Sequence, residues 1–397
     1  MIRPFDGSVV NASWAERVVS PANDALTAAE RHAYTEAHPD SYLHITRSSD
    51  LDMVRELTPE EIAQENRKAL DRLRQAGAFT HHGSAMFLYR LDTGEHVQTA
   101  LVADIDLVGM DNGQILPHER TRTDREDQLA LALRVVGVNS SPVAMATNSE
   151  HTLIEVIDKT CHAEPILDFM GAGRLHQMVW RVPDVLAHAA AADLADTKLH
   201  VTDGHHRLAA ALRHRDNLER NNPGQPGLHH QTLVAIFPAS QMQTFAFHRT
   251  VVTDLSIKDV LAAMTAHGLE PVPTDMDHVE PQSPGEFGLY VAGGWYRFSP
   301  NRRVDVLDVQ WLQDDVIAPV FGITSPSSDP RLNHLTGSAG PLALADKCDR
   351  LGAIGLLLAP TPVEAIAATA DRGEILPPKS SFFSPKPRSG IFLAPRT

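Results

Sequence analysis

Cysteine is scarce in this sequence: Cys161 and Cys348 are the only two, far apart and without CxxC spacing. That excludes a disulfide framework and a cysteine-based zinc ribbon, and it fits a reducing compartment. No stretch reaches the ~18 apolar residues that a membrane helix requires. The opening Met1-Ile2-Arg3-Pro4-Phe5-Asp6 lacks the apolar run of a secretory leader, so a cytoplasmic protein with no membrane attachment is expected. Positive charge is also short. With 35 Lys and Arg against 50 Asp and Glu, the net charge is -15, which argues against nucleic-acid binding by phosphate neutralisation, and no basic helix-turn-helix pattern is present. Repeats of fixed period and low-complexity tracts are absent too, which removes solenoids and arrays.

What is present is a globular mixture, 43% hydrophobic and 21% charged. A chain of 397 residues is too long for one core, so more than one packed unit is expected. A helix begins near Thr27. Thr58-Pro59-Glu60-Glu61 supplies an N-cap, a first-turn proline and an acidic third position; Ile62, Leu70 and Leu73 give the apolar stripe of a helix that stops at Gly77. Residues 85–91 and 97–105 are β-prone and joined by Asp92-Thr93-Gly94-Glu95, a hairpin pattern. A dense polar stretch from Asp111 to Asp127 then leads into a helix through Leu129, Leu131 and Leu133. Residues 183–195 read as helix, 198–202 as strand and 231–237 as strand. Beyond them come a helix over 256–267, a hairpin around Gly293-Gly294, a helix over 308–320, the apolar run 353–358, a second capping box at Thr361-Pro362-Val363-Glu364, and a proline-, lysine- and serine-rich tail over 376–392. The expected class is therefore α/β (α+β), with an extension over residues 1–84, a mixed-sheet core over 85–250 and an α+β lobe over 251–397.

Three runs could carry chemistry. In Asp203-Gly204-His205-His206-Arg207 the glycine permits a tight turn between strand and helix, and the helix start points backbone N–H groups at whatever sits above it. His205, His206 and Arg207 add donors at a place that favours phosphate, with Asp203 as the adjacent carboxylate for a metal ion or a substrate hydroxyl. The same run suits a plain capping turn in which Asp203 caps the helix, Arg207 meets a surface carboxylate and the histidines are solvated. Adjacent histidines on a helix point apart, which argues against a zinc pair there. The second run, from Pro117 to Asp127, joins a proton-accepting carboxylate to three arginines and several hydroxyls; it fits either a site or a solvated helix face. In the tail, Lys379 and its serines could close on a ligand, or Phe382 and Phe383 could anchor a strap. His248-Arg249 carries the same ambiguity.

Together these runs resemble the DUF1015 family from end to end. The resemblance is carried by Ile2-Arg3-Pro4-Phe5, Tyr42-Leu43-His44-Ile45-Thr46-Arg47, His118-Glu119-Arg120-Thr121, Asp203-Gly204-His205-His206-Arg207, Leu307-Asp308-Val309 and Pro378-Lys379-Ser380-Ser381-Phe382-Phe383. The chain departs from it at Pro21-Ala22-Asn23-Asp24, where the family pattern is Pro-Pro-Tyr-Asp. The family's core resembles the ParB and sulfiredoxin type of nucleotide-binding fold, which includes small kinases of free serine. The resemblance implies a kinase using ATP or ADP with Mg2+ on a small hydroxylated metabolite, free L-serine or a serine-like amino acid first. It implies Glu119, Asp203 and His205 as catalytic residues, with Asp203 holding the Mg2+. His118, Arg120, Thr121, Gly204, His206, Arg207, Arg249 and Lys379 would bind the nucleotide and its phosphates. A ParB-like switch, in which nucleotide closes the protein on a partner without phosphorylating a metabolite, is the alternative, and a non-catalytic structural protein is a third; a homo-oligomer is a further expectation. Sulfiredoxin chemistry is disfavoured because His205 stands where the reactive cysteine would be.

Overall fold

A computed structural model describes residues 2–22, 26–48, 57–221, 223–300, 306–326, 328–377 and 379–396. Asn23, Asp24 and Pro378 of the motifs above lie outside the described residues. The chain forms two compact units, Met1–Met242 with Pro385–Thr397, and Gln243–Ser384. The division differs from the three parts expected from sequence. Within the extension over residues 1–84, Ile2 and Arg3 pair with Ile105 and Asp104 of the central sheet, and Phe5–Val10 pairs with both Phe79–Ala85 and Phe392–Pro395. The ends of the chain are thus sewn into the first unit by strand pairing, which local composition does not encode.

Among the described residues, nine strands make the central sheet of the first unit: β1 (Ile2–Arg3), β2 (Phe87–Asp92), β3 (Val97–Asp106), β4 (Ile115–Leu116), β5 (Val143–Thr147), β6 (Leu167–Gly171), β7 (Leu175–Arg181), β8 (Leu199–Asp203) and β9 (Gln231–Pro238). Their order is β4-β8-β5-β9-β3-β2-β7-β6, with β1 on β3. Pairing is antiparallel except at β4/β8 and β5/β9. The mixed α/β class expected from sequence is what the chain adopts.

Period two explains why this sheet is buried on both faces. Along β3, Ala100 and Val102 enter one core while Leu101, Ala103 and Ile105 enter the other. β9 repeats the split, with Leu233, Ala235 and Phe237 on one side and Val234 and Ile236 on the other. Helix α1 (Pro59–Gln75) covers the first face through Ala69, Leu70 and Leu73. Its start is as expected: Thr58 accepts from the Glu61 N–H, and the Glu61 carboxylate accepts from the Thr58 N–H. Helix α2 (Thr123–Val136) contributes to both cores, and α3 (His205–Asn221) packs Leu208 and Ala211 on the second. Arg213 of α3 reaches Glu126 of α2 at 2.6 Å and also pairs with Asp127, so the two helices are latched together.

Among its described residues, the second unit holds a six-stranded sheet in which Phe247–Val252 lies between Leu332–Thr336 and Ala353–Leu358. The helix expected over 256–267 forms as Ile257–Ala266, and the hairpin across Gly293 forms as well. The helix over 308–321 is interrupted by a wider turn at Leu312–Ile317. The second capping box does not form. Helix Val363–Asp371 starts after Pro362 without a side-chain cap, because the Thr361 hydroxyl donates instead to the Ser380 carbonyl at 3.0 Å. Phe382 and Phe383 pair with Phe245 and Thr244 as a short ribbon, so this part of the tail is a strap.

Candidate active site

The site grows from an irregular strand end. β8 pairs with β5 through His200 and Val201, then slips so that Asp203 faces Ala144, leaving Thr202 as the extra residue. Such a bulge bends the strand and re-aims the side chains beyond it. Gly204 then takes φ +96°, and a Cβ there would lie 2.9 Å from the Arg207 guanidinium. Glycine is required twice over, for the left-handed backbone and for the arginine folded across it. Helix α3 starts at His205, and the N–H groups of its first turn have no intrahelical acceptor, which makes this end suited to an anion.

The loop after β4 lies on that helix start. The His118 N–H donates to His205 Nε2 at 3.4 Å, and the Arg122 N–H donates to His206 Nε2 at 3.1 Å. Both imidazoles therefore accept at Nε2, which puts the proton of each neutral ring on Nδ1. His205 Nδ1 faces the Glu119 carboxylate at 3.7 Å, and the His118 and His205 rings meet edge-on with centroids 4.6 Å apart. Burial pushes His205 down to about 3, with His118 adding to the effect, and burial brings His118 down to about 4. These rings are neutral at physiological pH. Glu119 itself is 40% exposed, a partly accessible carboxylate that faces a buried imidazole.

Asp203 is bound more tightly than the sequence suggests. One oxygen pairs with Arg207 and the other with Lys386 Nζ at 2.8 Å. Burial alone would raise its pKa, but Lys386 and Arg207 hold it down at about 2. Arg207 also donates to the Pro142 carbonyl. As a magnesium ligand Asp203 does not fit this arrangement, since each of its oxygens already faces a cation. The bland alternative of a solvated capping turn does not fit either: His205 is buried, and Arg207 pairs within its own helix turn.

The structure brings together His118, Glu119, Asp203, Gly204, His205, His206 and Arg207. Thr121 is turned to α2, its hydroxyl donating to Glu126 at 2.6 Å, and Arg120 is exposed. Arg249 and Lys379 belong to the second unit. There, buried Arg249 donates to the carbonyls of Phe247 at 2.7 Å and Lys379 at 3.0 Å, while the Lys379 ammonium sits 5.1 Å from the Phe247 ring centroid. Lys386 is the residue sequence reading missed as part of the site. Its only local sign is a lysine bracketed by Pro385 and Pro387, which fixes an extended chain but names no partner.

A mixed-sheet protein with paired His-Glu and Asp-Gly-His-His-Arg motifs at one helix start is the class this geometry defines. The chain belongs to the DUF1015 family, described as proteins of unknown function, whose model matches residues 2–312. Among curated proteins the sequence has no match. Among solved structures it is similar to a free serine kinase variant in complex with ADP, at 14% identity over 74% of this chain and 92% of that one, with TM-score 0.39. It is also similar to C-terminally truncated SbnI from Staphylococcus aureus, at 12% identity over 77% and 89%, TM-score 0.41. A conserved hypothetical protein from Pyrococcus furiosus is similar at 15% identity over 74% and 95%, TM-score 0.36. At these values the likeness carries no functional argument, and the chemistry rests on the residues.

Proposed function

We propose that this chain is a small-molecule kinase that passes a phosphoryl group from ATP or ADP to the hydroxyl of a metabolite, with free L-serine as the first acceptor to test. The observation that carries the reading is the meeting of two motifs distant in sequence: the Glu119 carboxylate at His205 Nδ1, above the N-terminus of α3. Phosphoryl transfer needs little covalent chemistry from a protein. Positioning and charge stabilisation supply most of the rate.

In this reading the first-turn N–H groups of α3 receive phosphate oxygens. Glu119 takes the proton of the attacking hydroxyl as its oxygen bonds to phosphorus and the nucleotide leaves. His205 faces that carboxylate through Nδ1 as a neutral ring. Asp203 acts as the support, holding Arg207 over the turn and Lys386 beside it.

The test offers the full chain ATP or ADP as magnesium salts with a panel of free amino acids and small alcohols led by L-serine, and seeks phosphorylated product by mass spectrometry. Glu119→Gln is expected to reduce transfer by about 10²- to 10⁴-fold, the usual contribution of a general base, while nucleotide binding persists. Equal loss of binding and transfer would remove Glu119 from the base role. Nucleotide binding without product for any acceptor would replace the kinase with a nucleotide-responsive switch.

A further inference from the structure

At the other end of α3, roughly 20 Å from the site by helical rise, three metal-ligating side chains converge. Glu219 stands in the last turn of the helix, and His229 and His230 lie in the single 3-10 turn Leu228–His230 that leads into β9. One ligand atom from each lies within 4.8 Å of the others. We propose that Glu219, His229 and His230 bind one divalent transition-metal ion, zinc in the first instance, which fastens the C-terminus of α3 to the start of β9.

Neighbouring histidines usually diverge, but these two do not. Their rings stand 4.1 Å apart at 39°, and Nε2 of each approaches the same Glu219 oxygen, His230 at 3.1 Å and His229 at 3.9 Å. Zinc bonds of 2.0–2.1 Å in tetrahedral geometry separate ligand atoms by about 3.4 Å, a value these two distances bracket. The pair can converge because they leave a 3-10 turn and because Gly227 precedes it. A Cβ on Gly227 would lie 2.6 Å from His229 Nδ1, so glycine is what lets that ring fold back.

One nitrogen of the cluster has no protein partner among the described residues: His229 Nε2 is buried and makes no hydrogen bond, and at 3.9 Å its contact with Glu219 is too long for one. His230 Nε2 donates to the Gln225 carbonyl at 3.2 Å, a bond that ligation through Nε2 would replace, and the other Glu219 oxygen accepts from the Gly224 N–H at 3.1 Å, which orients the carboxylate. A cation at this point also meets the negative end of the α3 dipole. Two histidines and one carboxylate leave at least one position for water, the donor set of zinc and other first-row divalent ions.

The proposal is independent of the phosphoryl-transfer reading, since it concerns other residues and a readout without turnover. Chelator-treated full-length protein would be titrated with Zn2+ against a chromophoric competitor, and Co2+ would be used to record a visible ligand-field spectrum. One equivalent is expected to bind more tightly than about 1 µM. His229→Gln and His230→Gln should each weaken it at least about tenfold, because even outer-shell partners of a metal are worth that much. Glu219 and His230 side chains are 31% and 36% exposed, so metal-free variants should unfold at the temperature of the metal-free parent. Affinity weaker than about 1 µM, or affinity in either variant equal to that of the parent, would overturn the site.

Discussion

Lys386→Met offers the sharpest test of how the site is held. The change keeps the apolar stem and removes the ammonium 2.8 Å from Asp203. Asp203 sits at about 2 against an ordinary 3.8, despite a burial effect that acts in the opposite direction. Lys386 and Arg207 together therefore supply at least that difference, about 2.4 kcal/mol at 1.36 kcal/mol per pKa unit. Both partners are largely screened from solvent, with Asp203 and Lys386 side chains 23% and 15% exposed. Assigning about half to Lys386 predicts a loss of ~1–1.5 kcal/mol at pH 7, or roughly tenfold faster amide exchange in a peptide spanning residues 199–212.

The pH dependence has a definite sign. A carboxylate depressed on folding contributes stability above its unfolded pKa, and that stability is lost as pH falls through the folded value. The exchange ratio of variant to parent should therefore be about ten from pH 7 down to about 4, then fall toward one by about pH 2. Taking the ratio at each pH cancels intrinsic exchange chemistry. A ratio of one at pH 7, or one that stays constant down to pH 2, would refute the claim that Lys386 holds Asp203 ionised.

Neighbouring groups give three further expectations. Arg396 and Asp104 form an ion pair with side chains 1% and 2% exposed, and burial alone raises Asp104, so Arg396→Met should cost about 3–5 kcal/mol in urea unfolding while adding Asp104→Asn restores most of it; additive losses would contradict a direct pair. His118 and His205 are depressed on folding to about 4 and about 3, so their contribution is fully present above pH 6.5 and is lost progressively as pH falls toward those values. The parent should then lose stability between pH 6.5 and 4, His205→Asn should flatten that slope, and an unchanged slope would mean the ring is solvated. Glu119→Gln, finally, should separate nucleotide binding, which persists in a direct binding titration, from transfer, which is lost.

Elements set by local chemistry were legible in the sequence. Thr58-Pro59-Glu60-Glu61 carries cap, proline and acidic residue within four positions, and its helix forms as expected. The hairpin of β2 and β3 was readable because Asp92-Thr93-Gly94-Glu95 is itself a turn. Thr361-Pro362-Val363-Glu364 shows the limit. Its pattern is equally good, but the hydroxyl has a distant competitor in the Ser380 carbonyl. The candidate site divides in the same way. The Asp203-Gly204 turn could be placed between strand and helix from residue types alone, whereas the bulge at Thr202 depends on register with β5. The bond between Asp203 and Lys386 and the pairing of Phe5–Val10 with Phe392–Pro395 are long-range choices that neither segment announces. His229 and His230 were passed over because ring convergence depends on the backbone of a short irregular turn.

The first unit is discontinuous along the chain: the residues that close it, from Pro385 onward, come after the whole of the second unit. During synthesis the Asp203 turn emerges long before its Lys386 counter-ion, and Asp104 long before Arg396. Until Gln243–Ser384 has been made, Asp203 and Asp104 each lack one of the cations that face them in the folded chain. The second unit, contiguous in sequence, has no such wait. A chain ending short of residue 385 would contain every residue of the second unit and yet leave Asp203 with Arg207 alone, so the start of α3 gains its full set of ion pairs only from the last residues to be made.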